Sequence, residues 1–152
     1  MNFKKVLVIG SECIEKRYLL EYFSLLSSQN EEISRNNHLT VTEFKYGKTI
    51  FSLWCLENFL YFDTYLLGSS AIILNVHLGE PNNYDMIIDN LKKIQTLNIP
   101  LVIYIHSKDT LKLIKITKKI KNLFLENNIT NVCINPSNAF DFILKYTNSS
   151  EN

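Results

Sequence analysis

A three-layer, doubly wound α/β fold on a mostly parallel six-stranded sheet is what this sequence predicts, and three observations carry the expectation. Short apolar runs alternate with segments of helical period along most of the 152 residues. The first apolar run, Val6-Leu7-Val8-Ile9, meets a glycine and then a helical pattern, the strand, turn and helix order of a phosphate-binding loop. Further on, Tyr46-Gly47-Lys48 separates two alternating runs and reads as a hairpin turn that supplies one antiparallel strand.

The first strand spans about residues 4 to 9, and Leu19, Leu20, Phe23 and Leu26 mark a helix at about 15 to 27. A polar stretch rich in Asn and Glu, Gln29 to Asn37, reads as a loop. Residues 39 to 45 and 49 to 54 form the two strands of the hairpin. Residues 57 to 67 suit a helix that stops at Gly68, and Ala71 to Val76 a buried fourth strand. Gly79-Glu80-Pro81 breaks the chain ahead of a helix marked by Tyr84, Ile87, Ile88, Leu91 and Ile94. Pro100 to Ile105 reads as the fifth strand, and Leu113, Ile116, Ile120, Leu123 and Phe124 as the apolar stripe of another helix. Asn131 to Ile134 is a short sixth strand and Ala139 to Tyr146 a last helix. No repeat or flexible linker divides the chain, so residues 1 to 147 are expected to form one domain and 148 to 152 a flexible tail.

With 46% hydrophobic and 12% aromatic residues, the chain is richer in core-forming side chains than a disordered sequence. At this length a single core buries about 70% of the unfolded surface. Lys and Arg number 16 against 15 Asp and Glu, so the net charge of +1 lacks the global pull of a nucleic-acid-binding domain, and no nucleic-acid partner is expected. Cys13, Cys55 and Cys133 are odd in number and form no C-x-x-C pair. They read as reduced thiols of an intracellular protein, cytoplasmic or nuclear. No signal peptide, membrane-length apolar run or lipid-anchor motif is expected.

The stretch Gly10-Ser11-Glu12-Cys13-Ile14-Glu15-Lys16-Arg17 follows part of the pattern G-x-x-x-x-G-K-[ST]. In that pattern backbone N–H groups cradle phosphates, the lysine reaches them and the hydroxyl ligates Mg²⁺. Gly10 and Lys16 stand at the right spacing, but Glu15 replaces the second glycine and Arg17 the hydroxyl. A guanidinium only donates hydrogen bonds and cannot ligate a cation. The four glycines are Gly10, Gly47, Gly68 and Gly79, so no change of register restores the missing one.

Together with the element order, this loop resembles the Ras/Rab/Arf small GTPases over roughly residues 4 to 147. That family's D-x-x-G motif, often preceded by Leu-Trp, corresponds to Cys55-Leu56-Glu57-Asn58 after Leu53-Trp54, with Phe59 where a water-orienting Gln stands in Ras-like members. The guanine-reading N-K-x-D motif corresponds to His106-Ser107-Lys108-Asp109, in which only the Asp is kept. Ser137-Asn138-Ala139 is the remnant of S-A-K, and Thr40 and Thr42, near the switch I position, alternate within a strand.

The resemblance implies a small-GTPase-like P-loop fold in degenerate, pseudo-GTPase form, with no catalytic residue, no metal site and no GTP hydrolysis. Gly10, Lys16 and Asp109 are its vestigial cofactor-binding positions. The expected role is protein–protein interaction or assembly within an intracellular complex, with no cofactor and a binding surface set by packing. The alternative is a switch that keeps GTP or GDP without Mg²⁺ through Lys16 and Asp109, with little or no hydrolysis, regulating trafficking or complex assembly. A flavodoxin-like or receiver-type domain is a third reading, although receiver chemistry needs an Asp where Cys55 stands.

Phe59, Leu60, Tyr61, Phe62, Tyr65 and Leu66 crowd the helix at the family's switch II position, and one buried face does not hold all six. Phe59, Tyr61, Phe62 and Tyr65 are therefore the expected partner surface. Lys108, Lys112, Lys115 and Lys119 form a stripe that reads as a solvated helix face or a contact to an acidic surface. His77 and His106 end neighbouring strands without a carboxylate or thiolate at ligand spacing, so no metal is assigned to them.

Overall fold

Four consecutive apolar side chains, Val6 to Ile9, are buried on both faces of a strand only if that strand lies inside a sheet. The computed structural model describes residues 2–10, 13–56, 62–77, 89, 92–106, 118, 121–122, 125–126, 131–133 and 135–148, and it places that run at the centre. Strand β1 (Asn2–Gly10) lies parallel to β4 (Thr49–Leu56) over Asn2 to Val8 and parallel to β5 (Ala71–His77) over Val6 to Gly10. Beyond β5 the sheet continues in parallel through β6 (Leu101–His106) to β7 (Val132–Cys133). On the other side β3 (Leu39–Tyr46) runs antiparallel to β4, and β2 (Gln29–Arg35) antiparallel to β3. The order is β2-β3-β4-β1-β5-β6-β7, with β3 alone running against the rest.

The sheet has seven strands where the sequence predicts six, because Gln29 to Arg35 is a strand and not a loop. Every one of its residues is exposed, so no apolar alternation marks it. The ladder to β3 holds it, interrupted by a bulge between Glu32 and Ser34. Its turn is closed by Asn36, whose Oδ1 accepts hydrogen bonds from the backbone N–H groups of His38 (3.0 Å) and Leu39 (2.8 Å). The next hairpin follows expectation, with Gly47 at φ +60°, as a two-residue loop allows at its first central position.

Helices α1 (Cys13–Leu26) and α3 (Pro136–Asn148) cover one face of the sheet. Leu19 and Phe23 from α1 and Ala139, Phe140 and Ile143 from α3 pack over Val6, Val8, Phe44, Phe51, Leu53 and Ile73. The Phe23 ring lies 5.2 Å from Phe140 and 6.1 Å from Phe44, in tilted and edge-on contacts. Helix α3 starts three residues before the expected Ala139. Asn135 caps it, taking the Ser137 N–H on Oδ1 (3.1 Å), and Pro136 suits the first helical position. On the opposite face Leu66, which follows α2 (Phe62–Tyr65), and Ile94 in the helical residues 92–96 pack over Leu7, Ile9, Ile72, Leu74 and Ile103.

Residues 57–61 and most of the expected helices near 84–94 and 113–124 lie outside the described residues, as does the tail from 149. No helix among the described residues is long and apolar enough to cross a membrane. Truncating Phe23 to Ala is expected to cost about 3–5 kcal/mol in urea denaturation. Leu25→Ala on the same helix, where the side chain is 84% exposed, is expected to stay within about 0.5 kcal/mol.

Candidate functional site

In open α/β sheets ligands gather outside the carboxyl ends of the strands. At that edge one register row crosses four strands here, Gly10 on β1, Asn75 on β5, Tyr104 on β6 and Cys133 on β7. Gly10 has φ +128°, and a Cβ there would lie 1.9 Å from the Asn75 carbonyl oxygen. Only glycine fits so close to a neighbouring backbone. Packing within the sheet is therefore sufficient reason for a glycine at this position.

The rest of the row is polar, with Asn75 and Tyr104 buried and Cys133 half-buried. Asn75 is 1% exposed, and among the described residues neither its amide nitrogen nor its amide oxygen has a hydrogen-bond partner. An orphaned buried amide costs about 1–3 kcal/mol. Burial pushes the Tyr104 hydroxyl up to about 12, with smaller contributions from Cys133 and Tyr18. Burial likewise pushes the Cys133 thiol up to about 11, against the opposing influence of a backbone hydrogen bond at Asn135 and the charge of Lys121.

Cys55, at the position of the family's Mg²⁺-linked Asp, is 6% exposed. It packs into the apolar cluster under α1 and α3, opposite Val8 of β1 and Thr40 of β3. Mg²⁺ demands hard oxygen ligands and retained waters, and a thiol in an apolar setting offers neither. Cys55 by itself does not fit a Mg²⁺ ligand.

Of the expected cofactor positions, Gly10 ends β1 and the Lys16 backbone lies in α1, while its side chain and Asp109 lie outside the described residues. His77 and His106 are register partners at the ends of β5 and β6. Among the described residues no group of three His, Cys, Asp or Glu is placed to hold a metal. The S-A-K remnant falls within α3, where Ser137 bonds Asn135 and Ala139 is fully buried. Of the expected partner surface, Tyr65 is described and half-buried, Phe62 lies in α2 with its side chain outside the described set, and Phe59 and Tyr61 are outside it. So are Lys108, Lys112, Lys115 and Lys119, while the helical positions Lys118 and Lys121 are exposed.

A second cluster, centred on Lys5, was not legible as a site. The Lys5 ammonium donates to the carbonyls of Tyr65 (2.6 Å) and Leu67 (3.0 Å) and lies 4.2 Å from the centre of the Trp54 ring. Burial holds its pKa below the usual lysine range. The Tyr65 hydroxyl meets His38 Nε2 at 2.8 Å, and its ring packs 5.9 Å from Trp54. Lys5 of β1, Trp54 of β4 and His38 in the turn before β3 thus tie the end of α2 to the sheet. The available signal was a lysine beside an otherwise apolar strand, which period-two reading assigns to solvent.

Gly10→Ala is expected to destabilise the nucleotide-free chain by roughly 3 kcal/mol or more in chemical denaturation, since backbone must move. Asn75→Leu is expected to raise stability by about 1 kcal/mol, whereas a fall would mean that the amide finds a partner in solution. The thiol of Cys133 titrates near 9.0 when unfolded and at about 11 when folded, so the unfolded chain loses this proton first. Its stabilisation is therefore complete below about pH 9 and declines as pH rises toward 11. Denaturation curves across that range should fall less steeply for Cys133→Ala.

No family model matches the sequence, and no curated protein matches it. Solved structures do. A single-residue variant of Aquifex aeolicus Era bound to GDP·AlF₄⁻ superposes with a TM-score of 0.65 at 15% identity, over 96% of this chain and 57% of that one. Era in complex with MgGDPNP and nucleotides 1506–1542 of 16S ribosomal RNA gives 0.62 at 17% identity, with the same coverage of 96% and 57%. The chain thus spans little more than half the length of the Era proteins. The Arl6 BBS3 small GTPase from Trypanosoma brucei, with bound GppNp, gives 0.64 at 11% identity over 97% of this chain and 99% of its own. Identities this low speak for architecture alone, and that architecture is the small-GTPase-like P-loop fold.

Proposed function

We propose that this chain is a pseudo-GTPase, a G-domain scaffold that serves as an interaction or assembly subunit without hydrolysing GTP. The observation that carries the reading is the tether on α2. In a GTPase the γ-phosphate orders the switch segments and hydrolysis releases them. Here Lys5, Trp54 and His38 tether the end of the corresponding segment at Tyr65 and Leu67. A surface built around Tyr65 and Leu67 is then presented in one conformation, ready for a protein partner. Cys55 in its apolar setting and the replacements at Glu15, Arg17 and Asn58 support the same reading.

One observation favours the second reading, a guanine-nucleotide switch with little or no hydrolysis. The orphaned amide of Asn75 adjoins Gly10 at the ligand-binding edge and has both a donor and an acceptor to offer a bound group.

Chromatography of the supernatant from heat-denatured, freshly purified protein, followed by titration with fluorescent GDP and GTP, separates the two. The pseudo-GTPase reading expects no stoichiometric nucleotide and no saturable binding; guanine nucleotide at one equivalent would establish the switch. Amide exchange across residues 62–67 is expected to be unchanged by GDP or GTP and at least about tenfold faster in Lys5→Met.

A further inference from the structure

We draw no further inference here: the strongest candidate, the buried Asn75 amide beside Gly10 at the carboxyl ends of β1 and β5, belongs to the candidate site already described.

Discussion

The staggered pairing of β1 with its two neighbours organises the molecule. Its lower part, from Asn2, is laddered to β4, and its upper part, to Gly10, is laddered to β5; only Val6, Leu7 and Val8 pair on both sides. Parallel strands need cover on both faces, and that shared stretch lies between the α1 and α3 layer and the opposite layer with Leu66 and Ile94. The two halves of the sheet, β2-β3-β4 and β5-β6-β7, meet only through this strand.

Each end of the stagger has its own consequence. Above the shared stretch, β1 and β5 come so close that Gly10 rests against the Asn75 carbonyl, and Asn75 and Tyr104 in the same row are buried. Below it β1 has no β5 beside it, and Lys5 turns to the end of α2 while its own carbonyl accepts the Ser70 N–H at 2.8 Å. Desolvating an ammonium is costly, but two carbonyl acceptors and an aromatic face offset much of that cost.

Among the described residues the small-GTPase-like architecture is held by backbone ladders, apolar layers and the Lys5 tether. Glycine at the first turn answers a steric demand from β5. The segment after β4 is held by lysine, histidine and indole, and the position of a metal-linked carboxylate has become part of a hydrophobic layer through Cys55. Fold and chemistry separate cleanly in such a chain, because backbone ladders and apolar layers specify the first and a handful of side chains the second.

The sequence by itself determined the central strands, because four-residue apolar runs such as Val6 to Ile9 and Ala71 to Leu74 are stable only inside a covered sheet. It also determined the hairpin, through Gly47, and the departures from the small-GTPase motif patterns at Glu15, Arg17, Cys55 and Asn58. Tertiary structure alone decided that Gln29 to Arg35 is a strand, since an exposed edge strand is held by its partner's backbone and leaves no pattern of its own. It decided likewise that Lys5, 60 residues away from Tyr65 in sequence, tethers α2, that Asn75 is buried with its amide unsatisfied among the described residues, and that one face of β3 and β4 is left open. Each of these depends on which strand lies beside which and in what register, and no local spacing encodes that.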